Sequence, residues 1–219
     1  ENKVVMDANA VISTLASGAA GAVTITADNN SNVGGTGSGE VAMAAGARVT
    51  AAGGAPITVL SNGGSVTVSE LNAGVVNAGD VTITAGTSIA DANGASVNVI
   101  GNDVSLTGPA GIDVDIIAAG TLTADSSGAD GAINIESKLG SIGLATATAG
   151  AGTVTLDAED GGISDQNGAS VLNITGTVVN LTASGTISSD VAAATSVNAR
   201  IQSSGAVAED GSIDLRSAA

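Results

Sequence analysis

Apolar and polar residues alternate along this chain in short bursts, and each burst follows a glycine. Gly21-Ala22-Val23-Thr24-Ile25-Thr26 and Gly79-Asp80-Val81-Thr82-Ile83-Thr84 are near copies. Gly64-Ser65-Val66-Thr67-Val68, Gly131-Ala132-Ile133-Asn134-Ile135, Gly152-Thr153-Val154-Thr155-Leu156 and Gly211-Ser212-Ile213-Asp214-Leu215 repeat the unit, and Gly39-Glu40-Val41-Ala42-Met43 is a softer version. Period-2 alternation predicts strands with one face inward, and no segment has helical spacing. With the first apolar residue of each burst as marker, Val23, Val41, Val66, Val81, Val104, Ile116, Ile133, Val154, Val179, Val197 and Ile213 recur at a mean interval of about 19 residues. Secondary apolar points such as Val49, Ile89, Leu122, Ile142, Ile163 and Ile187 read as a second face, with glycines at the corners allowing positive φ.

The expectation is a single all-β domain over residues 1–219, a parallel β-solenoid of about 19 residues per coil and roughly 11 coils. A sandwich of hairpins is the alternative, disfavoured because it usually buries aromatics and shows more two-residue turns. A longer echo lies inside the repeat. Ile89-Ala90-Asp91-Ala92-Asn93-Gly94-Ala95-Ser96-Val97 returns as Ile163-Ser164-Asp165-Gln166-Asn167-Gly168-Ala169-Ser170-Val171, so residues 89–112 and 163–187 read as a duplicated block.

Composition narrows the chemistry. The 219 residues contain no Cys, His, Trp, Tyr or Phe, so thiol and imidazole catalysis, disulfides and aromatic stacking of sugars or bases are absent. The core must be Val, Ile, Leu and Ala. A net charge of −16, with only Lys3, Arg48, Lys138, Arg200 and Arg216 basic, argues against nucleic acid and anionic membrane surfaces as partners. No apolar run is long enough to span a bilayer. Nothing at Glu1-Asn2-Lys3 resembles a signal peptide, so the expectation is a mature start or a piece of a longer protein.

The Gly-x-Val-Thr-Ile-Thr-Ala texture, with Gly140-Ser141-Ile142 and Gly185-Thr186-Ile187 as punctuation, resembles filamentous haemagglutinin-like exoproteins, the stalks of bacterial surface adhesins. The resemblance covers about Val11 to Leu215. It implies a right-handed parallel β-helix, secreted to the bacterial surface, acting as a rigid fibre. The family's secretion domain carries Asn-Pro motifs; here Pro56 follows Ala55 and Pro109 follows Gly108, which leaves the stalk as the matching part.

Candidate chemistry is sparse. The carboxylate pairs Asp113/Asp115, Glu159/Asp160 and Glu209/Asp210 lack the basic and aromatic residues that hold a sugar, so no catalysis is expected. Oxygen-rich turns make Asp157, Glu159 and Asp160 weak calcium candidates, with Asp125 to Asp130 a second such turn. Gly34-Gly35-Thr36-Gly37-Ser38-Gly39 approaches a calcium-roll repeat once, with Gly39 where Asp belongs, so no dedicated cofactor is expected. Thr24/Thr26, Thr82/Thr84, Thr121/Thr123 and Thr153/Thr155 have the form used by ice-binding solenoids. On the marker register, however, Ala42/Ala44, Asn134/Glu136, Asn180/Thr182 and Asp214/Arg216 interrupt the ladder, leaving strand preference to explain the threonines. The sequence therefore predicts a non-catalytic structural shaft of an extracellular adhesin or matrix fibre. Its partners would be further coils of a longer parent chain, other copies of itself, or host-surface or matrix glycans. The alternative is a self-polymerising filament subunit.

Overall fold

The computed structural model describes residues 3–14, 21–27, 39–75, 78–168, 171–202 and 211–217. Strands β1 (Val4–Met6), β2 (Val11–Ser13), β3 (Val23–Ala27), β4 (Val41–Met43), β5 (Arg48–Thr50), β6 (Ile57–Ser61) and β7 (Val66–Val68) come first. They are followed by β8 (Glu70–Asn72), β9 (Val81–Ala85), β10 (Ser88–Asp91), β11 (Val99–Gly101), β12 (Val104–Thr107), β13 (Gly111–Ala118) and β14 (Leu122–Asp125). The last are β15 (Ala132–Ser137), β16 (Ile142–Thr148), β17 (Thr153–Ala158), β18 (Ile163–Asp165), β19 (Ile174–Ala183), β20 (Ile187–Ile201) and β21 (Ile213–Ser217). Among the described residues there is no α-helix, and so none long and apolar enough to cross a membrane.

The fold is all-β, with many strands in one parallel-paired sheet system, an arrangement consistent with a β-solenoid. In the first half each strand pairs with the one three places on. The three ladders are β1–β4–β7–β10, β2–β5–β8–β11 and β3–β6–β9–β12. The eight-residue β13 then pairs with both β10 and β11, so two ladders continue through one strand. From there pairing passes to the strand two places on, through β15, β17 and β19.

Register stacks like on like. Val41, Val66, Ile89, Ile112, Ile133, Val154 and Val179 follow one another in a single column, and all are buried. A second column runs Val23, Ile57, Val81, Val104, Leu122 and Leu144. A less buried outward residue separates each inward one along the strand, as in the alternating burial of β6 and β9. Each layer is too thin to bury an aliphatic side chain alone, and stacking supplies the missing walls.

Two sequence expectations are corrected by the register. Successive layers in the first column are separated by 25 (Val41 to Val66), 23, 23, 21, 21 and 25 residues, not about 19. Val66 and Val81 lie on different columns, as do Val104 and Ile116, so the marker series mixed two faces of one layer and shortened the apparent period. Nine strands stack in the first column among the described residues, from β1 to β20, in place of roughly 11 coils.

The glycines that open the bursts answer to crowding, not to backbone conformation. Gly131 and Gly152 have no positive φ. A Cβ on Gly131 would sit 2.3 Å from the backbone of Ala110 and Gly111, and one on Gly152 would sit 2.3 Å from the Gly131 carbonyl oxygen. They are glycine because the backbone of the preceding layer occupies the space. Positive φ is used at Gly94 and Gly168, each the second residue of an Asn-Gly pair.

Burial sets the first prediction. Ile133 is 1% exposed and Ile213 is 46% exposed. Ile133→Ala is expected to cost about 2–5 kcal/mol and Ile213→Ala under about 1 kcal/mol, read from urea denaturation midpoints.

Candidate functional site

The most elaborate polar chemistry lies on the outward side of β13, β15, β17, β19 and β20. Because Ile112, Val114 and Ile116 point inward, Asp113 and Asp115 point outward, and the register propagates both positions. One column runs Asp113, Asn134, Thr155, Asn180, Asn198; its neighbour runs Asp115, Glu136, Asp157, Thr182, Arg200. In the first, Asn134 donates to Asp113 (2.7 Å), Asn180 to Thr155 (3.4 Å) and Asn198 to Asn180 (2.9 Å). Asp113 and Asp115 thus share a face, as the alternation implies, and both carboxylates are engaged with neighbours in the next layer.

Lys138 gathers the second column. Its Nζ lies 2.6 Å from Glu136, 3.4 Å from Glu159 and 3.6 Å from Asp115, and its side chain is 18% exposed. Burial pushes the Asp115 carboxyl up to about 6, against the pull of Lys138, and the charges of Glu136 and Asp91 push the same way. Burial alone would depress the Lys138 ammonium, but the Glu136 hydrogen bond and the surrounding carboxylates raise it. Glu159 hydrogen-bonds Glu136, which holds Glu136 below its ordinary value and Glu159 above. Asp157 is raised, by burial first and then by Glu136, with Lys138 and Arg200 opposing.

The calcium candidates do not converge. Asp157 faces Glu136 in the column, Glu159 turns to Lys138, and Asp160 is exposed in the turn after β17. Among the described residues no group of three or more acidic side chains is placed to hold a metal ion. In the second oxygen-rich turn, Asp125 accepts from the Ser127 N–H and hydroxyl, and Asp130 from the Ala151 N–H. Gly34 to Ser38, Glu209 and Asp210 lie outside the described residues.

The echoed segments build a feature that the sequence reading missed. Between β10 and β11 the chain leaves the ladder: Ile112 pairs 23 residues back to Ile89, while Ile116 pairs only 17 back to Val99. The loop between them is closed at its base by Asn98, which is fully buried. Its amide donates to Asp91 (2.7 Å), Asn93 (2.8 Å) and the carbonyls of Val68 and Ser69 (3.1 and 3.2 Å) in the preceding layer. Its Oδ1 accepts the Asp115 N–H (2.7 Å) in the following one. Asn173, 1% exposed, repeats every contact: Asp165 (3.2 Å), Asn167 (2.9 Å), the Leu144 and Ala145 carbonyls, and the Asp190 N–H (2.8 Å). Each asparagine replaces the ladder bonds that its loop removes, as buried backbone groups require. The signal was present: the echo stops at Val97 and Val171, one and two residues short of the asparagines.

The two sites diverge in their cation. Asp115 has Lys138 at 3.6 Å, whereas Asp190 has Arg216 Nε at 2.9 Å while the same guanidinium reaches Asp165 at 3.0 Å. Burial would raise Asp165, but hydrogen bonds from Asn173 and the Asn167 and Gly168 N–H groups, with Arg216, hold it below the usual carboxylate range. A forked guanidinium serves two carboxylates; one ammonium must serve three.

Comparison with protein families, with curated proteins and with solved structures finds no match to the chain.

Two predictions follow from these sites. Asn98→Ala strands donors and acceptors in three layers and is expected to cost about 3 kcal/mol or more, with Asn173→Ala equivalent, measured by urea denaturation. Asp115, raised in the folded state from 3.8 to about 6, contributes stability that is full below its unfolded value and lost as pH rises through the folded one. Lowering pH from neutral towards 5 should therefore raise stability through this group by about 1 kcal/mol, read as a higher Tm, and Asp115→Asn should flatten that rise. The lowered Asp165 and Glu136 act oppositely, losing their contribution at more acid pH.

Proposed function

We propose that this chain is a structural shaft: a right-handed parallel β-helix that holds other parts of an extracellular bacterial adhesin or matrix fibre at a distance, without catalysis. The observation that carries the reading is the all-parallel pairing, in which aliphatic columns and backbone ladders pass from layer to layer with irregularities only at Leu122/Thr123 and Gly176/Val178 among the described residues. Such a stack resists bending because every layer is bonded to both neighbours. Right-handedness follows from the strand twist that governs parallel crossovers. The glycine-punctuated Val-Thr-Ile-Thr texture, similar to that of filamentous haemagglutinin-like exoproteins, supports the surface location, and the net charge of −16 keeps such rods apart in dilute salt.

One observation favours a second reading, a subunit that stacks end to end with copies of itself. Val197 and Ile213 occupy the column positions of buried Val179 and Ile187, yet are 41% and 46% exposed. Either further coils or another copy would cover them. Electron microscopy decides: the shaft gives single rods about 4 nm long for nine layers, and the filament gives long fibres with an axial repeat. Compact globules would overturn both.

A further inference from the structure

The corrected register assembles a surface that the marker series had scattered. On β3, β6, β9, β12 and β14, one outward column reads Thr24, Thr58, Thr82, Ser105, Thr123. Two residues along each strand, the second reads Thr26, Leu60, Thr84, Thr107, Asp125. Of the residues that seemed to interrupt the threonines, Ala42/Ala44, Asn134/Glu136 and Asn180/Thr182 belong to other ladders, whereas Asp214/Arg216 stands on β21, which continues this ladder beyond β16 through β18 and β20. Register is unshifted through all five layers, and the columns resume as Thr146 and Thr148 of β16 after an irregularity between Leu122 and Thr123.

We propose that this hydroxyl face binds ice, the threonine and serine hydroxyls at eight of its ten column positions, all but Leu60 and Asp125, templating lattice water across successive layers. Four features carry the proposal. Parallel layers repeat at about 4.8 Å, and alternate residues along a strand at about 6.7 Å, so the hydroxyls form a rectangular grid close to repeats of the ice lattice. Among the described residues, none of the threonines on these columns has a hydroxyl bonded within the protein, which leaves each free for water. Each threonine is stiff at χ1, so methyl and hydroxyl hold fixed directions. The face is also nearly free of charge in a chain of net −16: Asp125, in the fifth layer, is its one ion and is tied to Ser127. Charged side chains order water radially and would break a lattice. The columns of β13, β15 and β17, rich in Asp and Glu, have that opposite character.

This activity is independent of the shaft reading, since a rod can hold reach and an ice face together. The test is partition of the purified chain into slowly grown ice, with thermal hysteresis as a second readout. The wild type is expected to enter the ice and to show hysteresis. Thr82→Lys, at the centre of the face, should abolish both, and Thr107→Lys repeats the change one layer on should the first variant misfold. Thr155→Lys, on the acidic side, should bind as the wild type does, with circular dichroism verifying each fold. Exclusion of the wild type from ice, or equal loss in Thr82→Lys and Thr155→Lys, overturns the proposal. So does retention of the wild type by a neutral polysaccharide with no partition into ice.

Discussion

Stacking of one layer directly upon the next is the constraint from which the rest of this structure follows. In a parallel register every residue shares a column with those roughly one layer before and after it. A column therefore tolerates only residue types that can lie against themselves. Aliphatics satisfy that inside. Outside, hydroxyls and amides satisfy it by bonding to one another, and charges only when a cation is interleaved. Four of the five basic residues obey this: Lys3 meets Glu40 and Arg48 meets Glu70 in the adjacent layer, and Lys138 and Arg216 meet their clusters.

The strands and their inward faces were legible in the sequence because alternation is local. Val23-Thr24-Ile25 declares its two faces without reference to anything distant. Register was not legible in the same way, because it depends on how many residues each corner consumes. Six extra residues beside Asn98 displace later positions while leaving the glycine-apolar texture intact, so equal-looking bursts were assigned to one face when they occupied two. The threonine grid was lost in that step and returns once Thr24 is set against Thr58. Glycine was similarly ambiguous: Gly131 and Gly94 look alike in sequence, but one answers to a crowding neighbour and the other to its own φ.

The paired sites around Asn98 and Asn173 show how one scaffold takes on different electrostatics through a single position. Backbone, asparagine and first aspartate are matched contact for contact, and only the cation two layers on differs. Lysine leaves Asp115 undercompensated and its proton affinity high. Arginine is forked between Asp165 and Asp190 and, with the hydrogen bonds from Asn173, Asn167 and Gly168, helps hold Asp165 below the usual carboxylate range. The same fold thus carries one carboxylate that titrates in mild acid and one locked against it.

Closure of each outward loop by an asparagine has a further consequence. Asn98 and Asn173 bond the base of each loop to the layers before and after it through contacts that do not depend on the length of the loop. Such loops are natural insertion points: a longer peptide there would be displayed sideways while the layers beneath keep their bonds. Under the proposed function, such a stack would also be a mounting rail, on which new recognition elements can appear at mid-length without cutting the support that carries them.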